Sequence, residues 1–345
     1  MSENPNAVMH ADDISPRTLA YVSRDLLRVA NTKLMLSLFG SHMTIPKNRT
    51  THMTLRRYNP LPTDPKVVIE GVTPAPTKLS TEDLMVTLVQ YGEMIGITDV
   101  IADTHEDPVV EQATTRLGEQ AGEMLERVLG SILLAGTNVH YANGTSRSDV
   151  NTKISRDLLR RAVKGLERQR AQPITKMLST SDRFNTENIK PSYVAICHPD
   201  LAPDIEDCTG FKAVEDYGQI SPFDNEIGSV GSIRFVKEVL LTPYAGAGGT
   251  AASGIAATGG KADVYAIPII AKDAYACVAL KGHKSKLAGE RGEPVVPVEV
   301  SIVPVHQKDK ADPLGQRGYI GYLTWFAALI TQQAWLKRLE VACTD

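Results

Sequence analysis

The chain has 345 residues, 42% hydrophobic and 22% charged, with a formal net charge of -3. That length predicts a sizeable core split between two lobes, and the near-balanced charge excludes a bulk pull toward nucleic acid or an anionic membrane. No run of about 18 apolar residues offers a transmembrane helix, and the polar, acidic start MSENPNAVMHADD does not read as an export signal.

Taken in chain order, residues 1–15 read as an arm without its own structure. From Pro16 to Phe39, apolar residues recur at helical spacing, with Gly40 as the stop. The segments MTLRRYN and MVTLVQYGEMIGI read as strands. Between them, Pro60, Pro62, Pro65, Pro74 and Pro76 stiffen the chain and exclude a continuous ladder. This predicts a long two-stranded excursion with an extended tip and too little apolar surface for a core, which needs a partner surface to order it.

The clearest helix follows. Asp107 is its N-cap, Pro108 its first residue and Gly136 its stop. Val110, Ala113, Leu117, Ala121, Leu125, Leu129 and Ile132 are prominent on its apolar stripe. Pro108–Ala135 would extend about 42 Å. Gly118 and Gly122, one turn apart, suggest close approach of another backbone. A second helix, Asn151–Ala171, pairs an apolar face with a basic one that includes Lys153, Arg156, Arg160, Arg161, Lys164 and Arg168. The basic face reads as solvated or as bridging to a neighbouring subunit, because aromatics and a reading motif for nucleic acid are missing.

Beyond Tyr193, strands are expected at YVAIC, IRFVKEVLL, VYAIPIIA and AYACVAL, with a short helix in PDLAPDIED. VVPVEVSIVPV reads as a proline-interrupted edge strand. The final YIGYLTWFAALITQQAWLKRLEVA fits two strands or a strand and a helix. Without regular strand–helix alternation, the fold class is α+β.

Candidate chemistry is sparse. TPYAGAGGTAASGIAATGGKADVY (Thr242–Tyr265) matches G-x-G-x-x-G/A at Gly246, Gly248 and Ala251, but no crossover helix follows. A phosphate loop would need glycine at Ile255 and Ser or Thr at Ala262. A flexible surface connector, tolerant of insertion, is the reading; the alternative is a nucleotide-binding enzyme using residues 246–261. His105, Glu106 and Asp107 read as a helix start, and His198 as a loop or capping residue. Cys197, Cys208, Cys277 and Cys343 form no C-x-x-C pair and read as reduced, mostly buried side chains. No catalytic residue, metal site or cofactor is assigned.

An ordered series of motifs supplies more. RRYNPL (Arg56–Leu61), EGVTP (Glu70–Pro74), TLVQYG (Thr87–Gly92), LGEQAGEMLERV (Leu117–Val128), HPD (His198–Asp200), EIGSVGSIRFV (Glu226–Val236) and DPLGQRGYIGY (Asp312–Tyr322) follow one another in the chain. In this order they resemble the major capsid proteins of tailed bacteriophages with the Hong Kong 97-type fold, most closely the coliphage N-four group. Asn225 and Lys272 stand where glycine is usual in that pattern.

The resemblance implies an N-terminal arm (1–52), an extended β loop (53–103) and a peripheral domain (104–189) with its spine helix at 107–136. It further implies an axial domain (190–285) and a return to the peripheral domain (286–345). It implies a non-enzymatic protein that self-assembles as hexamers and pentamers into an icosahedral shell around double-stranded DNA. Portal, scaffolding and decoration proteins are expected partners, DNA contact is non-specific, no membrane is involved, and assembly occurs in the host cytoplasm. Arg56, Arg57, Tyr58, Glu70, Pro74, Tyr91, Gly118, Gly122 and Arg234 are the expected assembly contacts.

Overall fold

Two β-sheets share one long helix in the computed structural model, which describes residues 26, 34–65, 67, 70–71, 73, 76–104, 109–178, 186–217, 222–280, 298–303, 305, 307 and 313–345. In chain order the first elements are β1 (Ser41–Ile45), β2 (His52–Tyr58), β3 (Thr81–Thr87), β4 (Val89–Thr98), α1 (Asp99–Thr104), α2 (Val109–Leu134), β5 (Val139–Tyr141), α3 (Arg156–Arg168), β6 (Ile174–Leu178) and β7 (Thr186–Cys197). There follow α4 (Ala202–Glu206), β8 (Phe211–Ala213), β9 (Glu226–Val230), β10 (Ile233–Lys237), β11 (Ala257–Thr258), β12 (Lys261–Ala262), β13 (Val264–Ile270), β14 (Tyr275–Leu280), β15 (Val298–Val303), β16 (Arg317–Ile330) and β17 (Leu336–Ala342).

The first sheet is built around β16. β4 pairs along Arg317–Phe326, β15 along Val303↔Tyr319 to Val298↔Thr324, and β14 along Phe326–Ile330, while β1 adds in parallel to β14. The second sheet runs β5-β17-β13-β7-β10-β9-β8, with β6 on β7. Its strands alternate between two cores, as a period of two demands. Val194, Ile196, Val236, Ile270 and Leu336 face α2. Tyr193, Ala195, Phe235, Ile267, Ile269, Leu339 and Val341 face the other way, onto Leu158, Leu159, Ala162 and Leu166 of α3.

Ala113, Leu117, Ala121, Leu125, Leu129 and Leu133 recur at every fourth residue on α2 and are all buried. They pack against both sheets at once, meeting Ile97, Tyr275, Ile320 and Phe326 of the first. The helix spans 26 residues, about 39 Å. The expected cap at Asp107 and Pro108, and the triplet His105–Asp107, lie outside the described residues.

Several expectations change. Of the helix expected over Pro16–Phe39, the described residues include a 3-10 turn at Leu36–Phe39. The arm then supplies β1, whose partner β14 lies more than 200 residues away in sequence; five residues carry no periodicity that could signal so distant a pairing. MVTLVQYGEMIGI breaks at Leu88 into β3 and β4. Only β3 belongs to the excursion, because β4 runs along β16 inside the first sheet. The helix expected at Asn151–Ala171 shortens to Arg156–Arg168, with Ser155 Oγ accepting from Leu158 N at 3.3 Å. The preceding turn stays extended because Thr152 O accepts from Ala342 N at 2.9 Å.

Sheet membership also departs from the expected segment boundaries. β5 and α3, from the stretch expected to be peripheral, sit on the second sheet with β10 and β13; β14 sits in the first. The last segment is two strands, one in each sheet. Among the described residues β15 pairs only with β16, at an edge, as the prolines flanking it in the sequence imply.

Candidate assembly surfaces

β2 and β3 form a separate two-stranded ribbon in register from His52↔Thr87 to Tyr58↔Thr81. Along β2, exposed and half-buried positions alternate, with none fully buried. Opposite charges face each other across it: Arg56 clamps Asp83 through two bonds of 2.8 and 3.0 Å, and Arg57 pairs with Glu82. Both pairs are open to water and hold register rather than supply much stability. The Arg56 guanidinium holds the Asp83 carboxyl below its ordinary range. Arg57 also donates to Thr331 O at 2.8 Å, tying the ribbon to the first sheet. Asn59 N donates to Ser80 O at 3.0 Å and closes the neck of the loop.

Beyond that neck, the described residues of 59–80 form no strand or helix. Tyr58, Leu61, Val67, Leu79 and Met85 are exposed there and on the ribbon, Val67 to 88% and Met85 to 73%. Glu70 is exposed in a turn. Pro74 lies outside the described residues. At the ribbon's root, Val86 and Leu88 bury against Ile45, Val278 and Ala327.

The other expected contacts lie at least partly inside the subunit. Tyr91 packs against the main core from β4. Gly118 and Gly122 are buried within α2. Arg234 is 4% exposed and forms an ion pair with Glu226, its Nε 2.7 Å from Oε1, with its guanidinium 3.9 Å above the Phe223 ring. The Glu226 carboxylate also accepts from Tyr217 Oη at 2.7 Å and Phe223 N at 2.8 Å.

A second buried charge cluster had no signal in the sequence. Glu340 is fully buried and accepts from Arg147 at 2.7 and 2.8 Å, with Arg338 at 3.1 Å. Arg147 lies in the turn-rich connector, 193 residues from Glu340. It stacks 3.6 Å above the Tyr244 ring at the entry to the glycine-rich stretch.

That stretch is not the flexible connector expected. Gly248 N donates to Ala262 O, and Gly249 N to Val150 O, both at 2.9 Å. Gly246, at φ +59, donates to Asp263 Oδ1 at 2.6 Å. A Cβ on Gly248 would lie 2.3 Å from Val150 O. Glycine is there so that three backbone segments can meet. These inward N–H groups are already bonded, so Gly246, Gly248 and Gly249 do not cradle a phosphate. The nucleotide-enzyme alternative therefore loses its motif.

His198 Nδ1 accepts from Asp200 N at 3.3 Å as an N-cap, the capping alternative of the two roles expected. All four cysteines are buried, and burial pushes the Cys197 and Cys343 thiols up to about 12. Among the described residues, no group of His, Cys, Asp or Glu could hold a metal ion. Asn225 has φ 57, the left-handed conformation that favours glycine and that asparagine tolerates. Lys272 N donates to Gln172 O at 2.9 Å, and the left-handed residue there is its neighbour Asp273, at φ 57.

Comparison with known proteins places this architecture. The family model described as phage capsid protein matches residues 81–328. The major capsid protein of Pseudomonas phage KPP21 is 24% identical over 272 residues, 73% of this chain; the match spans 66% of that relative's length. The capsid of Ralstonia phage GP4 superposes with a TM-score of 0.62 at 12% identity, covering 90% of this chain and 89% of that one. The capsid of cyanophage P-SCSP1u gives 0.59 at 11% identity, covering 90% and 89%. The chain belongs to the phage capsid protein family and has its Hong Kong 97-like fold.

Proposed function

We propose that this chain is the major capsid subunit of a tailed phage, closing as hexamers and pentamers into an icosahedral shell around double-stranded DNA. The observation that carries this reading is the β2–β3 ribbon and its loop, where Tyr58, Leu61, Val67, Leu79 and Met85 are left exposed by the described residues. A surface of that kind is completed by a neighbour, and closed symmetry multiplies modest contacts into a stable particle. Ordering the loop across a neighbour opposes part of that gain. Family membership supports a structural rather than enzymatic role and a place in the virion capsid.

The finer parts of the proposal are a peripheral domain around α2, an axial domain around the second sheet, and assembly in the host cytoplasm. Portal, scaffolding and decoration proteins, and non-specific contact with packaged DNA, complete it. The motif series from Arg56 to Tyr322 supports kinship with the coliphage N-four group.

The test replaces Asn59–Ser80 with an Asn-Gly turn, which joins the cross-strand partners Tyr58 and Thr81 directly. The expected product is a folded, soluble subunit that forms no shells by electron microscopy. Normal shells from this variant would overturn the reading.

A further inference from the structure

The basic flank of α3 faces a cleft that the shell-forming role does not explain. Arg161, Lys164 and Arg168 follow one another at three- and four-residue spacing, so they share one side of the helix. Together with His140 and Lys337 they line a cleft of about 670 Å³ between α3 and the edge of the second sheet, and its lining contains no Asp or Glu.

Lys337, on β17, is 5% exposed. Its ammonium reaches the cleft past Gly165: a Cβ on that glycine would lie 2.2 Å from Lys337 Nζ. It has no hydrogen bond or ion pair to another described residue. A buried lysine ordinarily pairs with a carboxylate or loses its proton. Burial lowers the Lys337 pKa, and His140 is lowered by burial and then by the charges of Lys337 and Arg161. The cleft is therefore electropositive and lacks a counter-ion.

Its shape selects among anions. A DNA duplex presents phosphates on a convex surface and meets protruding cations, not an ammonium recessed behind a helix. A small oxyanion can enter, and the planar Arg fork matches its paired oxygens.

We propose that the cleft between α3 and β17 is a binding site for a small, multiply charged oxyanion of the phosphate class, with Lys337 at its floor and Arg161 and Arg168 at its rim. The site is independent of the shell-forming reading. It would couple the helix to the C-terminal strand by neutralising charges that otherwise repel.

The full-length chain is titrated at pH 7 with inorganic phosphate and with pyrophosphate, against sodium chloride of equal ionic strength, by calorimetry and thermal melting. Saturable binding and a raised melting temperature are expected for both anions and absent with chloride. Lys337→Met should weaken binding by roughly tenfold or more, since a charge-assisted hydrogen bond is lost. Gly165→Ala guards against a folding artefact. Alanine favours the helix and only the flexible lysine tip must move, so the ligand-free melting temperature should hold or rise while anion affinity falls. The proposal is overturned if phosphate acts no differently from chloride, or if both variants bind as the parent does. It is equally overturned if only a short DNA duplex binds, making the flank a nucleic-acid surface. Binding only by a Glu-rich peptide would likewise overturn it, making the cleft a docking point for carboxylates of another chain.

Discussion

In the second sheet, β13 is buried along its whole length, Pro268 included, with α2 on one face and α3 on the other. In the ribbon, β2 and β3 have a complete ladder, but only Val86 and the adjacent Leu88 are buried among the described residues, with Met53 half-buried beside them. Both regions form strands, although β13 (VYAIPII) is uncharged and β2 and β3 (HMTLRRY, TEDLMVT) carry Arg56, Arg57, Glu82 and Asp83. They also differ in whether helices among the described residues cover them. The sheet is finished by intrachain packing, and its charges, Arg234–Glu226 and Arg147–Glu340, are paired inside it. The ribbon holds its charges in water and leaves Tyr58 and Met85 exposed. Changes in the sheet should therefore weaken the subunit itself, and changes in the ribbon should spare the subunit and weaken assembly.

The sharpest way to break this comparison is Arg234→Met, which leaves the fully buried Glu226 side chain without its counter-charge. Loss of one partner of a buried pair removes about 3–5 kcal/mol, so chemical denaturation of the subunit should show a large drop in midpoint. An unchanged midpoint with defective shells would move Arg234 from the core to an assembly role.

Gly248→Val comes next. Its side chain would collide with the backbone at Val150 O and Ala262 O, and overpacking of this kind lowers stability by about 1–3 kcal/mol. Gly254→Ala, at an open position with φ +79, should lower it by about 1–2 kcal/mol through backbone strain alone. Equal tolerance of both, read by thermal melting, would restore the flexible-connector reading.

A pH series tests how the arm is anchored. Glu126 of α2 accepts from Leu36 N at 2.7 Å and Ser37 N at 3.3 Å, and is 1% exposed. Burial, reinforced by the nearby Glu238, pushes its carboxyl up to about 8 from an ordinary 4.5, with Tyr275 also close by. The folded chain thus holds this proton more tightly than the unfolded chain. Its contribution is greatest below pH 4.5 and is lost as pH rises toward 8. Glu126→Gln should flatten that fall in stability between pH 5 and 8; an unaltered slope would show that another group carries it.

The smallest expected effect on the subunit is Met85→Ser. At 73% exposure, it should change unfolding free energy by no more than about 0.5 kcal/mol. Shell yield, measured by sedimentation, should nevertheless fall. A parallel loss of subunit stability would place Met85 in an intrachain core and erase the contrast between ribbon and sheet.

Local rules carried much of the architecture. The α2 stripe, the glycine after it, the ribbon strands and the proline-marked edge all follow from spacing, because each depends on residues a few positions apart. The ordered motifs from Arg56 to Tyr322 pointed to the family for a different reason, as a pattern of resemblance. Arg234 and the glycine-rich stretch were harder to read. An arginine in IRFVKEVLL does not disclose that its guanidinium reaches Glu226 on the neighbouring antiparallel strand, and a glycine fingerprint does not disclose that its N–H groups are already bonded.

From the sequence alone came the α+β class, the long helix, the uncovered proline-bearing loop and the absence of a complete nucleotide motif. Tertiary structure decided which strands share a sheet, which charges are buried and where the arm joins the body. Glu340 meets Arg147, Lys337 passes Gly165, and Ser41–Ile45 pairs with β14 across separations that no local pattern spans. Periodicity records which face of an element is apolar; only packing determines what that face, or a charge beside it, will meet.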